Sequence, residues 1–250
     1  MVFPEKSSVC FIGDSIVAAD KFTRILTDFF VLHFPEKEIL FHNISMPGAT
    51  AISAIRSADW ILEYYHPTHV FFLFGTNDLQ RVLFSDSAKY TEALQKKRDA
   101  ALCTYIENMR ALSDKFSAVP HTFLTSPPHE ESACYTSPCY HGFDTQLSRA
   151  ASALCKAFSN VIDLHSFLEE VNSLRIIPSL LGPDRVHPEN ICHILIADCI
   201  LRHLGFKNPL LPLWDTHITT AERALLPKFG ILEANAERNH ESDARFESTR

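Results

Sequence analysis

An apolar run near position 70 constrains the fold more than any other stretch of the chain. Residues 69–74 read HVFFLF, and the polar turn Gly-Thr-Asn-Asp follows directly at 75–78. A strand that is buried on both faces has this continuous apolar pattern, because neither of its faces carries polar residues. Such strands belong to parallel sheets with helices on both sides. The run therefore predicts the central strand of a parallel α/β sheet.

Similar short apolar segments alternate with helical patterns along the chain. The pattern predicts strands at 9–13, 39–43, 69–74, 121–125 and 161–164. It predicts helices at 18–34, 52–62, 87–116, 147–158, 191–204 and 219–233. Strands that alternate with helices in this way predict a doubly wound parallel sheet of five strands.

The pattern contains no repeat and no linker that would divide the chain into two domains. We expect one α/β domain over residues 1–205 and an extension over 206–234 that packs on it. The tail at 235–250 is charged and poor in apolar residues, so we expect it to be disordered.

The composition excludes several classes of partner. The formal net charge is −7 and the basic residues form no cluster, which argues against a nucleic-acid-binding protein. No apolar run approaches the ~20 residues of a membrane helix, and no basic segment leads into an apolar stretch at the N-terminus. We therefore expect a cytoplasmic protein that binds neither nucleic acid nor membrane. Its seven cysteines are expected to be reduced, although Cys134 and Cys139 share a loop in which a disulfide can form.

Polar or glycine residues follow three of the predicted strands where the strands end. Ser15 comes after the first strand, Gly48 after the second and Asn77 after the third. The carboxyl ends of parallel strands meet at one edge of the sheet, so these loops are expected to share one cleft. Ser15 would also begin a helix, where unpaired N–H groups favour negative charge. This placement suits a nucleophile, and a helix cap formed by Asp14 or Ser15 is the structural alternative.

A further polar pair lies in the loop at 182–188. Asp184 and His187 are three residues apart in a turn between two prolines, so their side chains can project to the same side. A carboxylate that holds one imidazole nitrogen leaves the other available to accept a proton. The loop therefore supplies a candidate general base, with an ordinary surface turn as the alternative.

Taken in order, these segments resemble the four sequence blocks of the SGNH (GDSL-type) hydrolases. The blocks extend over residues 11–188 and are Gly13-Asp14-Ser15, Gly48, Gly75-Thr76-Asn77-Asp78 and Asp184-x-x-His187. The resemblance implies a three-layer α/β/α sandwich on a five-stranded parallel sheet, of the flavodoxin-like type, over residues 1–205. It implies a catalytic triad of Ser15, Asp184 and His187. It also implies an oxyanion hole formed by the N–H groups of Ser15 and Gly48 and the side-chain amide of Asn77. Relatives often carry an additional glycine where this chain has Ser45.

The chemistry of ester cleavage explains why these residue types are needed. A serine hydroxyl becomes a good nucleophile when an adjacent base takes its proton, and His187 is the candidate base for Ser15. Asp184 would fix the tautomer of the imidazole, and the N–H donors would stabilise the oxyanion of the tetrahedral intermediate. Asp14 and Asp78 are expected to brace the loops without a chemical role. This mechanism needs no cofactor, and we predict no metal.

We therefore predict a serine esterase that cleaves a small-molecule ester through an acyl-enzyme. An acetyl group on a saccharide or another polar alcohol is the expected substrate, because the loop at 129–143 can offer aromatic faces to a sugar ring. These aromatic or ring-bearing residues are Tyr135, Tyr140, His141 and Phe143. Packing of the loop onto the protein body is the alternative role for them. The 19 phenylalanines keep open a lysophospholipase or thioesterase with an apolar acyl pocket. An acyltransferase and a non-catalytic binding module are further alternatives, and the sequence leaves the oligomeric state open.

Overall fold

The computed structural model describes residues 3–85, 91–132, 135–207 and 219–229. Its strands are β1 (Ser8–Gly13), β2 (Leu40–Ser45), β3 (His69–Leu73), β4 (His121–Leu124) and β5 (Val161–Ile162). Its helices are α1 (Ser15–Ala18), α2 (Lys21–His33), α3 (Ala51–Tyr65), α4 (Glu92–Lys115), α5 (Phe143–Ala157), α6 (Leu164–Ser173), α7 (Asn190–His203) and α8 (Thr220–Leu225). The strands form one five-stranded parallel sheet in the order β2-β1-β3-β4-β5. The predicted fold class is confirmed.

Helices cover both faces of the sheet and produce three layers. β3 lies between β1 and β4, and all five of its residues are buried. Because side chains of a strand alternate between faces, its neighbouring phenylalanines enter different cores. Phe71 stacks on Phe11 in the core beneath α2 and α7. Phe72 stacks on Phe123 in the core beneath α3, α4 and α5. Burial on both faces explains the apolar run at 69–74.

Several predicted helices differ from the structure in their limits, and the one predicted at 219–233 ends at Leu225 and is followed by a 3₁₀ turn over Leu226–Phe229. The predicted helix at 18–34 begins only at Lys21, as α2, because Asp20 adopts a left-handed backbone with φ of 54° and separates it from α1. α5 begins at Phe143 and so earlier than the predicted start at 147. The predicted helix at 87–116 is present as α4, and residues 87–90 lie outside the described ranges.

α6 has no counterpart among the predicted elements. The apolar run at 161–164 predicts a strand as far as Leu164, but the strand ends earlier and Asp163 caps a helix. Leu164, Leu168 and Val171 then face the core at helical spacing. A short apolar run is compatible with either a strand or a buried helix, which is why the sequence pattern failed here.

The described part of the C-terminal segment contacts the α/β domain. Leu226 is fully buried in the core beneath α2 and α7. The Asn190 side-chain amide donates to Glu222 Oε1 at 2.6 Å and so connects α7 to α8. These contacts hold α8 against the domain.

Two expectations concern residues that the structure does not describe. The tail at 235–250 and Cys134, one half of the expected cysteine pair, lie outside the described ranges. Within those ranges, no helix is both long enough and apolar enough to cross a membrane.

Candidate active site

The turn after β1 places Ser15 at the carboxyl edge of the sheet. Asp14 caps α1, and Ser15 is the first residue of that helix, so its N–H has no partner within the helix. Gly13 allows α1 to pack this closely on the sheet. A Cβ atom at Gly13 would lie 2.4 Å from Val17 Cγ2 and 2.8 Å from the Leu73 carbonyl oxygen. The glycine of the first block is therefore required by packing.

Ser15, His187 and Asp184 form one continuous hydrogen-bonded chain. The Nε2 atom of His187 lies 2.7 Å from Ser15 Oγ. The Nδ1 atom of His187 is hydrogen-bonded to Asp184 Oδ2. The other carboxylate oxygen of Asp184 accepts from the backbone N–H groups of Val186 at 3.0 Å and His187 at 2.9 Å. The structure thus brings together three residues that the sequence separates by up to 172 positions.

The charge state of Asp184 supports this arrangement. Burial raises the pKa of the carboxyl, but hydrogen bonds from the His187 side chain and from the two backbone N–H groups outweigh burial and hold the pKa below its usual range. An ionised carboxylate accepts a hydrogen bond from the N–H group at Nδ1. The lone pair of Nε2 is then directed at the Ser15 hydroxyl. His187 is therefore placed to accept the proton of the Ser15 hydroxyl.

Arg185 holds the loop that carries Asp184 and His187, and sequence reasoning missed it. Its side chain is buried, and its backbone is left-handed with φ of 67°. The guanidinium donates to the carbonyl oxygens of Glu130 at 2.8 Å, Tyr135 at 3.2 Å and Ser137 at 3.2 Å. A planar guanidinium with five donors suits such a junction between two loops. No sequence pattern marked Arg185, because its partners lie about 50 residues away.

Gly48 and Asn77 lie in the two loops beside the serine. Gly48 has φ of 80°, and no atom lies within 4 Å of the position that a Cβ would take. The Asn77 amide donates to the Ala49 carbonyl oxygen at 3.0 Å and to Asp14 Oδ2 at 3.4 Å. The second contact is long for a hydrogen bond, so that amide hydrogen is the one more easily redirected to a ligand.

Asp14 and Asp78 connect these loops to one another. Asp14 accepts from the Ile16 N–H at 3.0 Å, and Asp78 accepts from the N–H groups of Ala51 at 2.9 Å and Gly75 at 3.1 Å. Burial raises the pKa of Asp14 to about 7 and that of Asp78 to about 6. Asp78 therefore ties the first residue of α3 to the turn that follows β3, whereas the backbone partner of Asp14 lies in its own turn at the start of α1.

The aromatic residues of the loop at 129–143 mostly pack the loop against the protein. Phe143 is fully buried, with ring contacts to Phe84 and His129. The Tyr135 hydroxyl donates to the Leu181 carbonyl oxygen at 2.8 Å. For Phe143 the packing alternative is the one observed, and the loop lies against the segment that carries Asp184 and His187.

Comparison with family models decides the classification. The model described as GDSL-like Lipase/Acylhydrolase matches residues 9–200, which include each of the site residues above. The chain belongs to this family. The resemblance of the four short blocks is thereby confirmed.

Several solved structures share this fold. Axe2, an acetylxylan esterase from Geobacillus stearothermophilus, has a TM-score of 0.63 at 21% identity, over 82% of this chain and 97% of that chain. A catalytic mutant of Axe2 has a TM-score of 0.66 at 18% identity, with the same coverage. A gut microbial diltiazem-metabolizing enzyme, BT4096, has a TM-score of 0.71 at 21% identity, over 82% of this chain and 48% of that chain. This chain thus spans about half the length of BT4096. A search of curated protein sequences finds no match.

Proposed function

We propose that the protein hydrolyses carboxylic esters through an acyl-enzyme on Ser15. The observation that carries the proposal is the 2.7 Å contact between His187 Nε2 and Ser15 Oγ, with Asp184 bound to the opposite ring nitrogen. His187 takes the hydroxyl proton as Ser15 attacks the ester carbonyl, and then returns it to the leaving alcohol. Water then attacks the acyl-enzyme in the same way, with His187 taking its proton and returning it to Ser15, and the carboxylic acid is released.

The oxyanion of each tetrahedral intermediate requires hydrogen-bond donors close to the serine. The N–H groups of Ser15 and Gly48 and the side-chain amide of Asn77 are the donors in this proposal. The open space above Gly48 supports it, because a carbonyl oxygen can approach the backbone there without a side chain in its path. Asp14 and Asp78 then act only by holding the donor loops.

Replacement of Asn77 by alanine is expected to lower kcat by about 10²–10³-fold. The amide would stabilise charge that develops only in the transition state, so KM should change little. Steady-state kinetics on p-nitrophenyl acetate measure the two constants, and a thermal melt shows whether the variant is folded. A loss of less than tenfold in folded protein would remove Asn77 from the oxyanion hole.

We assign the acyl group to the short-chain class, with acetyl on a saccharide or another polar alcohol as the preferred substrate. The side chains of His187 and Asp184 are 46% and 47% exposed, so the reacting centre is open to solvent. A long acyl chain gains affinity only from burial, which an open centre does not provide. Twelve of the phenylalanines that the structure describes are buried, which places them in the protein core and not along a cleft. Axe2, which has the same fold, is an acetylxylan esterase.

A series of p-nitrophenyl esters from acetyl to octanoyl tests this assignment. An apolar acyl pocket would add about 0.8 kcal/mol, or roughly fourfold in kcat/KM, for each buried methylene. We expect the opposite trend, with the highest kcat/KM for acetyl or propionyl and a decline beyond butyryl. Rates with the Ser15→Ala variant serve as the background for spontaneous hydrolysis. A maximum at octanoyl would favour a lipid acyl hydrolase. With a maximum at acetyl or propionyl, acetate release from acetylated sugars tests the alcohol part of the substrate.

A further inference from the structure

A polar cavity lies apart from the serine, between α5, α6 and the loop at 128–132. Its volume is about 360 Å³. Its described lining carries more negative than positive side chains, with the carboxylates of Glu130, Glu131, Asp144 and Glu169 against the guanidinium of Arg175. A cavity with this balance of charge favours a cation over an anion.

His165 of α6 lies next to two of these carboxylates, those of Asp144 and Glu169. Its side chain is completely buried, and each ring nitrogen faces a carboxylate at a distance longer than an ordinary hydrogen bond. The Nε2 atom lies 3.4 Å from Asp144 Oδ1, and the Nδ1 atom lies 3.4 Å from Glu169 Oε2. Buried polar atoms are almost always hydrogen-bonded or bound to an ion, so this imidazole requires an explanation. Two other residues of the cavity wall, His129 and Asn172, also have a buried polar atom without a described partner.

Both distances are longer than ordinary hydrogen bonds, and one of them matches the spacing of two ligands on one ion, since a single ion can bind only one nitrogen of an imidazole. N–H···O hydrogen bonds are normally about 2.7–3.2 Å long. Ligand atoms that lie about 2.0–2.1 Å from a tetrahedral zinc ion are roughly 3.3–3.4 Å from each other. One ligand atom from each of Asp144, His165 and Glu169 can be chosen so that all three lie within 4.8 Å of one another. Because Asp144 and Glu169 face opposite ring nitrogens, one of the two carboxylates must turn toward the nitrogen that binds the ion.

We propose that Asp144, His165 and Glu169 bind one divalent transition-metal ion through an imidazole nitrogen and two carboxylate oxygens. Zinc is the ion that this donor set favours, since neutral imidazole and carboxylate both bind it well and magnesium prefers oxygen ligands alone. Water from the cavity completes the coordination. The site is distinct from the hydrolytic centre, and no step at Ser15 passes through it.

The ion would stabilise the loop that supports the catalytic pair. It joins α5, which carries Asp144, to α6. Asp144 Oδ1 accepts from the His129 N–H at 2.7 Å. The next residue, Glu130, donates its N–H to the Arg185 carbonyl oxygen at 3.2 Å, and its own carbonyl oxygen accepts from the Arg185 guanidinium at 2.8 Å. Through these contacts, a bound metal would stabilise the Asp184–His187 loop.

Zinc titration of the chelator-treated full chain, followed by calorimetry, tests the site. We expect one saturable site per chain. Glu169→Gln should weaken zinc binding by at least about tenfold, a loss that even changes outside the ligand shell can produce. The matched control is Glu170→Gln, which makes the same change at an exposed neighbour on α6 and should bind zinc like the wild type. At one hundred times Kd, zinc should also raise the Tm of the wild type by about 5–10 °C.

Two competing explanations give different results. A protonated His165 between two carboxylates would hold the cluster without an ion, and zinc would then neither saturate a site nor raise the Tm. Glu131, Cys139 and His141 form a second group with metal-ligand geometry. Zinc bound there would be lost in Cys139→Ser and retained in Glu169→Gln. Either result, or equal affinity in wild type and Glu169→Gln, would overturn the proposal. Cobalt substitution of the wild type does not depend on a variant that folds, and its spectrum should lack a thiolate-to-cobalt band.

Discussion

Replacement of Ser15 by alanine is expected to abolish ester hydrolysis, with a loss in kcat on the order of 10⁵–10⁶. The Ser15 hydroxyl forms the covalent bond to the acyl group in the proposed mechanism, and no other side chain can replace it. The fold should be unaffected, because the side chain lies in a half-exposed position at the end of β1 and adds nothing to either core. Initial rates on p-nitrophenyl acetate, with a thermal melt of the same sample, measure both quantities.

The double variant Ser15→Ala, His187→Ala gives a sharper test of the hydrogen-bonded chain. Residues of a triad act as a unit, so each single change and the double change should cost nearly the same. Independent contributions would instead multiply. Ser57→Ala is the matched control, because it removes a hydroxyl from an exposed position on α3 and should leave the rate unchanged. Substantial turnover by folded Ser15→Ala would exclude the acyl-enzyme mechanism.

The features that the sequence could predict are those that depend on local pattern and on one rule of topology. The apolar run of β3 required burial on both faces, and this required helices on both sides. Parallel strands then brought the ends of β1 and β3 to the same edge. Ser15 and Asn77 could therefore be placed in one cleft before any distance was known. The spacing of Asp184 and His187 in one turn was likewise sufficient to pair them.

The features that the sequence could not predict depend on contacts between distant segments. Arg185 holds the catalytic loop through carbonyl groups of a loop earlier in the chain, and a carbonyl group has no sequence signature. His165 lies in α6, where an apolar run is compatible with either a strand or a helix. Its proximity to Asp144 follows only from the packing of α5 on α6. The sequence could not predict the proposed metal site for the same reason.

Replacement of Asp184 by asparagine is expected to lower kcat by about 10⁴-fold while the protein remains folded. An asparagine side chain is close to aspartate in size and keeps an oxygen that can accept from the N–H groups of Val186 and His187. It removes the negative charge that stabilises the imidazolium and offers an N–H group to Nδ1, which favours the wrong tautomer. The measurement is kcat on p-nitrophenyl acetate, with the thermal melt compared with that of the wild type. A kcat within tenfold of the wild-type value would show that another group orients the imidazole.

The pH profile of the wild type separates this role from that of the other buried carboxyls. The pKa of Asp184 lies below its usual range, so this group is already ionised where kcat/KM begins to rise with pH. The rise should then report the general base that accepts the Ser15 proton, which is His187 in the proposed mechanism. Asp14 and Asp78 have pKa values raised by burial to about 7 and about 6, so their ionisation falls in the same range. If His187 is the base, the rise persists in Asp14→Asn and in Asp78→Asn. Its disappearance in either variant would assign the titration to that carboxyl and leave the imidazole without the role of general base.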